Sequence, residues 1–466
     1  MKHDRMKIRS FLACMVLLTA TGLGGCKKAF LNKLPSTALV VPSTLSDYQQ
    51  LLDNTAVTTG TPLLGEVSAD NFYLPYSTWQ ALDSRERNAY MWASDIYEGQ
   101  GLVDDWDVPY QQVFYANIVL EGLSTIPVTM ANQQQWNNEE GSALFLRAFA
   151  FYNVAQLFAP PYDSTTAATD LGIPLRLHSD VTTPSVRASV AATYDQIISD
   201  LRLARTLLPV TIPRQALNRP SQPATLALLA RVYLSMRAYG LAGRYADSAL
   251  QRYNSLMDYN TLDTQSRFPF GLLNDETLYQ NRIVNYTQCL AAIAYPNTII
   301  DSTLYGSYST QDLRRSLFYQ LNANGQPNMK SGYAHVVWPF TGLATDELYL
   351  IRAECAARAG YTTAALNDLN TLLQRRYVTG TFTPVTASSS AQALDTILVE
   401  RRKELPFRGV RWTDLRRLNL EGRTITLTRV LNGTTYQLPP NSKLYTLPIP
   451  PDVLHFNPNM QQNERN

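Results

Sequence analysis

The chain is poor in charge, cysteine and histidine, and no apolar run is long enough to span a bilayer. Charged residues make up 17% of the 466 and sum to +2. Lys2, Arg5, Lys7 and Arg9 against Asp4 place +3 in the first 25 residues, which leaves the rest at −1. A near-neutral body without a polybasic stretch offers no electrostatic footprint for nucleic acid or anionic lipid. A spanning helix needs about 20 apolar residues, and neither Phe11 to Leu18 nor any later run qualifies. Of the four cysteines, Cys14 and Cys26 belong to the N-terminal leader and its end, which leaves only Cys289 and Cys355, 66 residues apart, so neither a disulfide framework nor a thiolate metal cluster is expected. Walker, HExxH and GxSxG motifs are absent, and His3, His178, His335 and His455 stand isolated. No cofactor is expected.

One carboxylate pair has the spacing of interest for glycoside hydrolysis. Glu400 and Glu404 lie one helical turn apart, and such enzymes hold two carboxyls about 5 to 9 Å apart. Arg401, Arg402, Lys403, Arg408 and Arg411 crowd them and favour ionisation of both, whereas an acid catalyst needs one raised pKa. A structural ion-pair network is the expectation, and the chain is not expected to be an enzyme.

What the sequence has in quantity is amphipathic aromatics, 27 Tyr and 6 Trp against 15 Phe. A polar tip on a flat apolar body suits binding grooves as well as cores. The N-terminus is a secretory leader: a basic segment, the apolar run, then small residues. Leu23-Gly24-Gly25-Cys26 closes it and resembles the lipobox of bacterial lipoproteins, which implies that Cys26 becomes the lipidated first residue. Multiple acylation there would hold the protein stably on a membrane face.

Periodicity of 3.6 residues predicts helices over 43–53, 107–123, 142–158, stopped by Pro160-Pro161, and 189–208. Two later stretches read as helical hairpins. In one, 224–239 turns at Gly240 to Gly243 into 244–253. In the other, 346–359 turns at Gly360 into 363–377. Small residues such as Ala230, Ala246, Ala353 and Ala365 stand where packed hairpins need them, and the pattern resembles degenerate tetratricopeptide repeats. Cys355 falls in such a run and is expected to be a buried thiol. Residues 60–100 and 256–341, rich in Tyr, Trp, Asn, Ser, Thr and Gly, read as irregular insertions.

Four segments carry a wider resemblance. Phe30-Leu31-Asn32-Lys33-Leu34-Pro35 follows the lipobox. Trp106-Asp107-Val108-Pro109-Tyr110 leads to Leu146-Arg147-Ala148. Glu400-Arg401-Arg402-Lys403-Glu404-Leu405 precedes Arg411-Trp412-Thr413-Asp414-Leu415-Arg416-Arg417. The end reads Leu447-Pro448-Ile449-Pro450, then Asn457-Pro458-Asn459-Met460. In this order they resemble the SusD/RagB family of nutrient-binding outer-membrane lipoproteins, although Arg408 stands before Gly409 where members often carry Glu. The resemblance implies a mostly α fold on tetratricopeptide-like hairpins, with residues 1–25 a leader, 26–35 an anchor and tether, and 36–466 one domain. It also implies an oligosaccharide or peptide ligand, and a TonB-dependent transporter barrel as partner at the outer membrane.

Such proteins build their ligand surface from the earlier loop region and the later insertion. A neutral sugar presents C–H faces and hydroxyls, so its site needs flat aromatics flanked by hydrogen-bonding groups. The first loop supplies Asp70, Asn71, Tyr73, Tyr76, Trp79, Arg85 and Trp92. The insertion supplies Tyr295, Asn297, Tyr305, Tyr308 and Trp338, with Tyr286 nearby. Trp106, Tyr110, Tyr233 and Trp412, in the scaffold motifs, are expected to pack.

Overall fold

The computed structural model describes residues 42–284, 298–335 and 337–465. The leader, Cys26, Tyr286, Cys289, Tyr295 and Asn297 lie outside the described residues. Helix starts follow hydroxyl caps: Ser189, Ser221 and Ser389 each accept a hydrogen bond from a backbone N–H of the first turn, and Thr44 forms a reciprocal box with Asp47. The scaffold is a succession of neighbouring helices. Gln133–Phe158 packs between Asp104–Leu123 and Val190–Leu207, and Gln222–Ser235 follows and pairs with Tyr239–Leu250. Thr345–Arg358 then packs on Tyr239–Leu250, on Thr362–Gln374 and on Ser390–Glu404. This is the expected mostly α, tetratricopeptide-like fold. No helix among the described residues is long and apolar enough to cross a membrane.

The two hairpins turn in the same way. Ala238 N–H donates to Tyr233 O and Arg237 N–H to Leu234 O, and the same two bonds recur from Tyr361 to Ala356 and from Gly360 to Ala357. Both are Schellman closures, which need a left-handed residue. Gly360 supplies it at φ +85 in one, and Arg237 at φ 62 in the other. The turn therefore falls before Gly240 and Gly243, which lie inside the second helix instead of forming the turn that the sequence suggests. Gly243 serves packing: a Cβ there would stand 2.9 Å from Cys355 Cβ, so only glycine lets the two helices approach so closely. Cys355 is buried, and burial pushes its thiol up to about 12. The Gln133–Phe158 helix begins nine residues ahead of the apolar period, because its Gln- and Asn-rich first turns face outward where no apolar stripe marks them.

Phe145 and Phe149 stack and meet Tyr279 edge-on at 4.7 and 5.5 Å, the centre of a continuous apolar core. Trp106, Tyr233 and Trp412 are buried, and Tyr110 donates its hydroxyl to Pro174 O at 2.8 Å. Strands are few and short. Leu427–Leu431 and Thr434–Leu438 form a hairpin across Asn432-Gly433, both with positive φ as its tight turn requires. More consequential is the antiparallel pair Phe72–Tyr73 with Ile299–Ile300.

Candidate functional site

That pairing joins the early loop to the late insertion. Phe72 faces Ile300 and Tyr73 faces Ile299, and Asp301 N–H extends the ladder to Asn71 O at 2.9 Å. Charge locks the junction. Asp70 receives both Nε (2.7 Å) and Nη2 (2.8 Å) of Arg411, while Arg402 Nη2 reaches Asp70 O at 2.7 Å and Asp301 Oδ1 at 3.2 Å. Burial alone would raise the Asp70 pKa. The Arg411 charge and fork, with Arg402 behind them, outweigh it and hold the carboxyl well below its ordinary range.

From this junction the aromatic side chains divide into two groups. Tyr73 and Tyr76 are 43% and 37% exposed. The Tyr76 ring stacks on Trp79 at 5.6 Å and 26°, and its hydroxyl accepts from Gln80. Trp79 is half-buried and donates Nε1–H to Arg87 O at 3.0 Å, which fixes the indole. On the insertion, half-buried Tyr305 lies under the Arg315 guanidinium at 4.7 Å and edge-on to Tyr319. These four rings supply solvent-reachable platforms on the two joined segments.

The others hold the frame. Asn71 is buried and donates to Glu66 at 2.6 Å. Trp92 is buried and donates Nε1–H to Ser68 O, while Arg429 from the Asn432-Gly433 hairpin stacks over Tyr90 at 3.4 Å and Trp92 at 5.0 Å. Tyr308 is buried and donates to Lys403 O at 2.7 Å. Arg85 is committed to Asp83 and Leu102 O. Trp338 is half-buried against the core, and its neighbour Pro339 accepts from Ile283 N–H.

Beneath the insertion lies a buried ion network. Arg314 binds Asp312 (2.6 Å), Glu400 (2.7 Å) and Glu404 (3.0 Å); Arg376 joins Glu404 to Glu276, each at 2.8 Å; Lys403 adds Glu400 at 2.7 Å and Asp312 at 3.2 Å. Glu400 and Glu404 are thus ion-paired structural groups. Glu276, Asp346 and Glu404 converge closely enough to hold a cation, but Arg376, Arg408 and Arg314 already answer their charge, with Arg408 bound to Asp346 at 2.9 Å. Arg408 also stacks over Tyr333 and Phe340 at 4.3 and 4.7 Å.

Glu66, like Glu276 in the network, is a buried carboxyl that burial pushes up to about 7, and its bonds from Asn71 and Gly409 N–H only partly offset that burial. The folded state therefore binds a proton that the unfolded chain has released, and stability from this group is lost as pH rises from about 4.5 to about 7. Wild type is expected to lose of order 3 kcal/mol across that window from this group, and Glu66→Gln to make the slope in urea unfolding shallower. An unchanged slope in Glu66→Gln would contradict the assignment.

Two family profiles match the chain. One, described as "Starch-binding associating with outer membrane", covers residues 29–234, and the SusD family profile covers 321–465. The chain belongs to the SusD/RagB family. Among relatives of this SusD-like chain, SusD-like protein P2 of Formosa agariphila is 23% identical, over 77% of this chain and 79% of that protein. A solved putative sugar binding protein from Bacteroides vulgatus superposes with TM-score 0.72 at 22% identity, covering 91% of this chain and 99% of the other. A SusD-like carbohydrate binding protein from Bacteroides fragilis does so with TM-score 0.67 at 16% identity, over 90% and 99%. At these identities the structural likeness is one of fold.

Proposed function

We propose that this SusD-like chain is a non-enzymatic receptor that captures an extracellular oligosaccharide and passes it to a TonB-dependent transporter barrel for uptake. Lipidated Cys26 tethers it to the outer membrane, facing outward. The observation that carries the reading is the strand pair Phe72–Tyr73 with Ile299–Ile300, because it joins two segments that bear solvent-reachable aromatics. Tyr73, Tyr76, Trp79 and Tyr305 offer flat faces to sugar C–H groups, and Gln80 and Arg315 stand beside them for hydroxyls. The family description as starch-binding and the carbohydrate-binding neighbour agree with this ligand class. The paired state of Glu400 and Glu404 supports binding without turnover.

Calorimetric titration of the chain from Lys27 onward, against neutral oligosaccharides and oligopeptides with the ligand recovered afterwards, tests it. Saturable binding of an intact glycan is expected. Peptide binding alone would keep the fold and reassign the ligand, cleavage of the glycan would make the protein an enzyme, and binding of neither would remove the receptor reading.

A further inference from the structure

Away from the aromatic site, exposed large apolar side chains converge from three distant parts of the chain. Val181 and Phe456, each 74% exposed, line one cleft of 360 Å³; Leu177 and Val186 line an adjoining cleft of 280 Å³, and Leu102 borders the first through its N–H bond to Asp452. Isolated exposed apolar residues are ordinary, whereas a contiguous group marks a contact surface. The surface is also preformed. Tyr110 donates to Pro174 O, Asn117 to the carbonyls of Arg176 and His178, and Ser185 N–H to Asn457, so the 174–186 segment is pinned to both the Asp104–Leu123 helix and the C-terminal region.

Two carboxylates, Asp107 and Asp452, line the first cleft. Burial, then Asp452, Asp104 and Asp105, push Asp107 up to about 6. Asp452 accepts from Leu102 N–H through Oδ2, while its buried Oδ1 has no hydrogen-bond partner. Among the described residues neither Asp107 nor Asp452 forms an ion pair. The basic side chains on the cleft wall are already bonded within the chain: Arg176 donates to Thr183 O and Ser185 Oγ, and His178 Nδ1 lies 3.2 Å from Glu121 Oε1. The donors of Tyr110, Asn117 and Arg176 on the lining are spent on backbone carbonyls, so the exposed aliphatic groups suit a protein better than a sugar, and carboxylates without ion pairs repel an anionic lipid surface.

We propose that this face docks a protein partner presenting a Lys or Arg flanked by apolar side chains, which pack on Phe456 and Val181 while the cation closes on Asp107 and Asp452. The inference rests on the delivery reading above, in which that partner is the transporter barrel. The test uses the full lipidated chain, solubilised in mild detergent from outer membranes together with its TonB-dependent barrel, and measures the barrel recovered per chain. Phe456→Glu/Val181→Glu is expected to cut recovery at least tenfold, and Asp107→Asn/Asp452→Asn severalfold. Leu203→Glu/Val399→Glu, at exposed apolar positions elsewhere, leaves it unchanged, as does glycan affinity of the soluble body in all three variants. Wild-type recovery in Phe456→Glu/Val181→Glu, or equal losses in the control, would place the interface elsewhere and leave the delivery reading standing. Recovery of no barrel with the wild-type chain would overturn both.

Discussion

Arg314→Met is expected to lower the unfolding free energy by about 3–5 kcal/mol, the range for removing one partner of a buried charge pair. Arg314 is fully buried and its guanidinium serves three carboxylates at once, Asp312, Glu400 and Glu404. Methionine fills much of the volume and leaves that negative charge to Lys403 and Arg376 alone. Arg314→Lys would recover little, because a point charge cannot reproduce the fork that grips both Asp312 oxygens at 2.9 and 2.6 Å. Arg314→Met/Glu404→Gln should regain part of the loss, since an amide replaces one stranded charge, and urea denaturation of the three variants reads this order. The same substitution reaches the ligand surface. The network clamps the insertion that carries Tyr305 onto the Ser390–Glu404 helix, and Tyr308 is seated there by its bond to Lys403 O. Glycan affinity is therefore expected to fall in Arg314→Met although no ligand-facing ring has changed. Stability equal to wild type would mean that the network contributes little beyond its own desolvation cost.

That coupling explains which parts of the molecule were legible in the sequence. Helices with an apolar stripe announce themselves, as do the alanines of their packed hairpins, whereas Gly243, which reads as part of a turn, packs instead against Cys355 while the turn falls at Arg237. The crowding of Glu400 and Glu404 by basic residues pointed to ion pairs, yet of those neighbours only Lys403 pairs with Glu400, and the main partners, Arg314 and Arg376, reach in from 86 and 28 positions away. The Asp70–Arg411 fork spans 341 positions and the Thr61–Ile283 bridge more than two hundred, and one sequence holds no signal for such pairs. Aromatic composition told where the loops are and left open which side each ring faces. Trp79 and Trp92 look alike in sequence, yet Arg429 from a distant hairpin covers the second. The Asn432-Gly433 turn was the available sign of that hairpin.

Tyr76→Ala is expected to weaken glycan binding about tenfold, the equivalent of roughly 1.4 kcal/mol, with no change in unfolding midpoint. Its ring is 37% exposed, stacks only on Trp79, and uses its hydroxyl to accept from exposed Gln80, so truncation removes a ligand platform and little packing. Trp79→Ala should weaken binding at least as much but also cost about 1 kcal/mol of stability through the lost bond to Arg87 O, and Trp79→Phe separates the two effects by keeping a ring without the donor. The double variant Tyr76→Ala/Trp79→Ala should lose more than 30-fold, of order 2 kcal/mol or more, as expected when both members of an aromatic hot spot go. Tyr76→Phe should bind like wild type, since the face does the work. Trp92→Phe is the counter-control: its indole is buried and bonded to Ser68 O, so it should lose stability in proportion to that bond and touch affinity only through it. Unchanged affinity in Tyr76→Ala and Trp79→Ala together would move the ligand off this face.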